Sequence, residues 1–269
     1  MHSMTQPGAG TTHVAASYNP DLKLATRRLS PQRGMTSVDW LTSYHTFSFG
    51  AYKDPEFNGF GTLRVINDDT VKPGGGFATH GHQQMEIITL VIRGTLAHKD
   101  SLGNGSIIHV GDVQVMSAGQ GIQHSEFNAS QQELVHFLQV WVIPNDHGML
   151  ARPRYDQRRA INPAITNRWQ LLVTGDPKLE ACTIYQDVRF YYAAITPGMQ
   201  LPLEVGANRC VWIHGISGRC EVNGERLEDG DGLGFVSHMM PGKLSVGVDE
   251  RQSYPASLLV FDVPPLQRI

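Results

Sequence analysis

Two histidines one residue apart, His80-Gly81-His82, are the first feature of this sequence that could do chemistry. On a β-strand, residues two apart point to the same face, about 6–7 Å apart at the backbone. Two imidazoles so placed can chelate one ion, although H-x-H pairs on their own are common on surfaces. The spacing returns in His124-Ser125-Glu126, after a turn marked by Gly119 and Gly121. If the two strands face each other across a barrel lumen, three imidazoles and one carboxylate converge on one point. Such a donor set suits iron, manganese, nickel, copper or zinc, and the residues do not choose among them.

A site of this kind needs short strands to carry it. Residues 62–66, 86–92, 106–110 and 134–143 are β-branched or aromatic runs bounded by Gly, Asn, Asp or Pro. The same texture returns at 169–173, 182–195, 210–216 and 258–263. This spacing predicts an all-β chain of the sandwich or barrel kind, with helix only near the linker and the ends. Asn104-Gly105 marks a hairpin. Composition narrows the partners. With 22 Lys+Arg against 25 Asp+Glu, no basic field invites nucleic acid or an anionic membrane. The apolar run 87–92 is far too short to span a bilayer. Three cysteines without a C-x-x-C spacing give no disulfide framework, and a reducing cytoplasm fits best.

The chain divides in two. Residues 1–20 are rich in Gly, Ala, Thr and Ser and read as a flexible tail; 21–143 form a first domain. Residues 144–168, with three prolines and five arginines, read as a linker that crosses the surface or touches both halves. Residues 169–269 form a second domain. Gly74, His80, His82, Glu86 and Gly94 in the first half recur as Gly198, Glu204, Gly206, Cys210 and Gly218, at a constant offset of 124. The register predicts a duplicated domain whose second copy has lost its ligands. The remaining histidines, among them His45, His98, His136, His214 and His238, read as packing or surface residues.

Three long segments resemble the pirins, a family of two-domain cupins. They are HTFSFGAYKDPEFNGFGTLRVINDD at 45–69, GGFATHGHQQMEIITLVIRGTLAHKDSLGN at 75–104 and GDVQVMSAGQGIQHSEFNAS at 111–130. Pro153-Arg154-Tyr155 in the linker is similar as well. The resemblance is strong over residues 23–170 and weak beyond. It implies two tandem jelly-roll β-barrels, a bicupin. It implies one metal per chain, of the Fe(II) type, on His80, His82, His124 and Glu126. The general cupin pattern also has a glutamate in its first motif, where Glu86 stands. By parity Glu86 shares a face with His80 and His82, so it is either an alternative ligand or an outer partner that orients an imidazole.

Bacterial pirins are similar to quercetin 2,3-dioxygenases. The resemblance therefore implies a planar polyphenol (a flavonol) and dioxygen as substrates, with Glu126 as general base. Phe77 and Gln139 are candidate pocket residues. The rival expectation is an iron-binding regulatory protein that modulates a transcription factor or metabolic enzyme through a protein partner, without turnover.

Overall fold

The computed structural model describes residues 22–266, so the expected tail at 1–20 lies outside the described residues. The chain folds as two β-barrels, each made of a seven-stranded and a four-stranded sheet. In the first half the large sheet runs, strand by strand, Arg154–Arg159, Asp112–Ser117, Glu86–Arg93, Val135–Val142, Leu63–Val71, Leu41–His45 and Gly34–Val38. Its small partner sheet runs Gly76–His82, Ile122–Asn128, Thr95–Asp100 and Gly105–His109. The second half repeats the plan, with Gln200–Val205 in the place of Gly76–His82 and Arg209–Ser217 in that of Glu86–Arg93.

Local sequence explains the strands. Glu86–Arg93 lies between two strands and is covered on both faces, which is why its sequence is a near-continuous apolar run. One face, carrying Ile88 and Leu90, joins Val113, Val115, Leu138 and Val140 in a core shared with Val173, Phe190, Trp212 and Phe261 of the second half. The other face, carrying Ile87 and Val91, looks into the first barrel. The large sheets therefore pack against each other, and the small sheets close the two barrels on the outside.

The duplication is visible in the backbone. Gly74 and Gly198 take φ of +67° and +78°, and Gly94 and Gly218 take +77° and +76°. Each pair occupies the same left-handed position, open to glycine at little cost, which explains why these landmarks recur in register.

The boundaries differ from the sequence expectation in two places. Leu24–Arg28, expected in the first domain, pairs instead with Gly232–Ser237 of the second half. The chain then crosses to the first barrel through the turn Ser30–Gln32, where the Ser30 amide donates to Asp231 at 2.7 Å. The linker also contains a strand. Arg154–Arg159 adds to the edge of the first large sheet beside Asp112–Ser117, after the short helix Asp146–Leu150. Arg154 does touch both halves: it donates to the Ser117 hydroxyl at 3.3 Å and to the Thr183 carbonyl, and it lies over the Tyr185 ring. The 182–195 run is likewise two strands, Cys182–Thr183 and Arg189–Ile195.

Candidate metal centre

His80 and His82 sit on Gly76–His82, and His124 sits on Ile122–Asn128. These strands are antiparallel neighbours in one sheet, with His124 directly opposite His80. The expectation that they face each other across the lumen is therefore wrong. After His82 the chain crosses to the large sheet, returns for the hairpin of the small sheet, crosses again at Asp112–Ser117, and comes back beside its start. The histidines meet side by side, at the separation of a cross-strand pair.

The donor nitrogens of His80, His82 and His124 lie within 4.8 Å of one another. His80 Nε2 and His124 Nε2 are 3.0 Å apart. Nitrogens held at right angles by metal bonds of about 2.1 Å stand about 3.0 Å apart, so this spacing fits two adjacent positions on one ion. His80 Nδ1 lies 2.9 Å from the Ala78 carbonyl; donating there leaves the Nε2 lone pair for a metal. His82 Nε2 is buried with no hydrogen-bond partner, a state that a cation at the convergence point would relieve. Burial, assisted by the neighbouring His80, lowers the His82 pKa to about 4. Burial and then the charges of His80, His82 and His98 push His124 lower still. Both imidazoles are therefore neutral at neutral pH, the state in which a histidine can ligate a metal. Among the described residues no other His, Cys, Asp or Glu group of this kind forms, and Glu204 on the equivalent strand points to Lys243 at the surface.

Glu126 follows His124 by two residues and also faces inward, 1% exposed. The opposite strand carries an extra residue here, so that Glu126 stands across from Phe77. Bulges of this sort re-aim side chains. The Glu126 carboxylate lies outside the three-nitrogen group. Its Oε2 accepts from Gln139 Nε2 at 2.7 Å, and its Oε1 from the Thr89 hydroxyl at 3.4 Å. Burial lifts its pKa to about 7 against those two donors. Asp69, also fully buried, is raised to about 7 by burial and, to a lesser degree, by Glu126.

Glu86 corrects the parity argument. The chain turns at Gln83-Gln84-Met85, with Gln84 at φ +52°, so alternation does not carry over from one strand to the next. Glu86 faces the seam between the halves, where its Oε2 accepts from the Ser117 hydroxyl at 2.6 Å. It is not grouped with the histidines. Of the expected pocket residues, Gln139 reaches the site by donating to Glu126. Phe77 packs edge-on against Trp40 at 5.1 Å, with its ring 6.4 Å from His80.

Sequence reasoning missed Trp141, whose ring meets His82 edge-on at 4.9 Å and Phe49 at 5.4 Å. Alternation along 134–143 already sets Trp141 on the same face as Gln139. It also missed His98, stacked on Tyr155 at 5.0 Å and 5.4 Å from the His124 ring. His80 and His82 are half-exposed and His124 is buried, so the cluster opens on the side of the first two. A surface cleft of about 430 Å³ also touches His82, lined by the exposed Gly81, Gln83, Ser101 and Gln123 and by none of the other site residues.

Two packed β-barrels with a histidine cluster in one of them define a bicupin with a metal-type site. The Pirin family model matches residues 26–142, and that of the quercetinase C-terminal cupin domain matches residues 171–263. The chain is 39% identical to a quercetin 2,3-dioxygenase of Escherichia coli K12, over 89% of this chain and 98% of that protein. It therefore belongs to the pirin family. The crystal structure of the Escherichia coli pirin YhhW in complex with nickel(II) superposes with a TM-score of 0.82, at 38% identity over 90% of this chain and 99% of that one. A quercetin 2,3-dioxygenase structure from Acinetobacter baumannii, 21% identical with a TM-score of 0.75 over 92% of this chain and 88% of that one, shares the fold.

Proposed function

We propose that this protein is a metal-dependent dioxygenase that opens the heterocyclic ring of a flavonol such as quercetin. The observation that carries the reading is the convergence of the His80, His82 and His124 nitrogens in a chain 39% identical to a quercetin 2,3-dioxygenase. His80, His82 and His124 hold the ion, and Glu126 is the fourth donor. Iron(II) is the proposed native metal, by family resemblance; the YhhW complex carries nickel. When bound, the metal supplies a Lewis acid and a template that favours a deprotonated substrate hydroxyl beside dioxygen.

The residues of the chain do the rest. Glu126 accepts the flavonol hydroxyl proton as general base. Gln139 and Thr89 hold the carboxylate in place. Substrate approaches from the His80 and His82 side, where Trp141 and Phe49 offer a half-buried aromatic wall to a planar ring. Both atoms of dioxygen enter the product, and one ring carbon leaves as carbon monoxide. Three buried free thiols suit the reducing cytoplasm proposed as its location.

The test is direct. Protein loaded with Fe(II) or Ni(II) should consume quercetin under air, with loss of the flavonol absorbance and release of carbon monoxide in equal amounts. A metal-loaded protein that binds quercetin anaerobically yet turns over no flavonol would sink the enzyme reading and leave the regulatory one.

A further inference from the structure

We propose that Trp141 is a positioning residue for Glu126 and acts through the amide of Gln139. The inference deepens the proposed function and rests on the reading of Glu126 as metal donor and base. An indole N–H can only donate, and an ionised carboxylate can only accept. Trp141 Nε1 donates to Gln139 Oε1 at 3.2 Å. That contact turns the amide nitrogen toward Glu126, where it donates to Oε2 at 2.7 Å. Without the indole N–H, the amide is free to turn over and present its oxygen to a carboxylate oxygen.

The strand makes this possible. Gln139 and Trp141 are two residues apart on Val135–Val142, so both project to the same face. Gln139 is 7% exposed and Glu126 1%, which leaves little room for water to replace either link. The same indole meets His82 and Phe49 edge-on, at 4.9 and 5.4 Å. One half-buried side chain therefore touches the histidine cluster and orients the carboxylate beside it. Through it, a ring docked at the open side of the site is coupled to the group that takes its proton.

Metal affinity and the indole resonance test this together. Competition with a chelator, using Ni(II) alone, is measured for the wild type, Glu126→Gln, Gln139→Leu, Trp141→Phe and the Trp141→Phe/Gln139→Leu double variant. Trp141→Phe keeps a ring and loses only the donor. Each single variant should weaken metal binding by roughly 10–100-fold, the usual effect of removing a donor or its outer partner. The double variant should bind no more weakly than Gln139→Leu, because the indole acts through the amide. A packing role alone would make the two losses multiply, and that result overturns the inference. Wild-type affinity in Trp141→Phe, with a loss in Glu126→Gln, overturns it too. Wild-type affinity in Glu126→Gln overturns the coordination reading instead. The link itself is then decided by the ¹⁵N-labelled indole of Trp141: Gln139→Leu should move its N–H resonance and speed its exchange, with or without metal. An unmoved resonance ends the proposal.

Discussion

Glu86 supplies a prediction with a sign and a size. It is 0% exposed at the seam between the halves, and burial raises its pKa from 4.5 to about 7 against the Ser117 hydroxyl, the Tyr185 backbone and the Arg154 charge. A carboxyl that holds its proton more tightly when folded stabilises the fold fully below pH 4.5 and loses that contribution as pH rises through about 7. At about 1.4 kcal/mol for each tenfold change in proton affinity, the loss amounts to about 3 kcal/mol above pH 8. Glu86→Gln cannot ionise and keeps an oxygen for Ser117. Near pH 4 the variant should match the wild type. Near pH 8.5 it should be the more stable of the two, by up to about 3 kcal/mol, or ~6–12 °C in thermal midpoint for a chain of this size. Asp69 and Glu126 ionise in the same range but cancel in the comparison. The assay is thermal unfolding at the two pH values with chelator present, so that metal loading does not contribute. A stability difference between variant and wild type that does not change with pH would refute the reasoning. Loss of the metal from Glu86→Gln would refute the placement of Glu86 away from the site.

Other outcomes follow from the same geometry. His124→Ala should abolish stoichiometric metal binding by elemental analysis, while a His214→Ala control retains it. Glu126→Gln should keep part of the metal and lower flavonol turnover by roughly 10²–10⁴-fold in a steady-state assay, the range for a lost general base. Gly94→Ala should destabilise the first barrel by about 1–3 kcal/mol in thermal unfolding, because φ is +77° and the new Cβ would stand 2.6 Å from the Leu134 carbonyl. The three cysteines are buried, and burial lifts Cys182 and Cys220 to about 12; a thiol reagent should label them only after denaturation.

Within a single strand, the sequence was a reliable guide. Alternation set His80 with His82, and His124 with Glu126, each pair on one face of its own strand, and the recurring glycines marked the duplication because their left-handed backbones do. It failed wherever an argument crossed from one strand to the next. Glu86 lost its parity with His82 at the turn 83–85, where three residues redirect the chain into the other sheet. The two histidine pairs proved to be sheet neighbours, because strand order depends on the crossovers and not on local pattern. Trp141 was invisible as a site residue for a related reason: an aromatic on an apolar strand reads as core until its neighbour across the barrel is known.

Strand pairing ties the second barrel to the chain that leads into the first. Leu24–Arg28 completes the second sheet before the chain enters the first barrel, and Arg154–Arg159 completes the first sheet before it enters the second. Only the second large sheet takes a strand from outside its own half; the first is built from residues 34–159. The first barrel's histidine-bearing strands are closed on one side by Glu86–Arg93, whose outer face is covered by Phe190, Trp212 and Phe261 of the second half. Removing the second barrel would expose that face, a contiguous apolar sheet, to water. The second half no longer needs histidines to matter to the site. It backs the sheet from which Thr89 and Gln139 reach Glu126, so substitutions that loosen the seam at Trp212, which packs on Phe47 of the first half at 5.0 Å, should weaken metal binding at histidines they do not contact, as metal titration of Trp212→Ala would show.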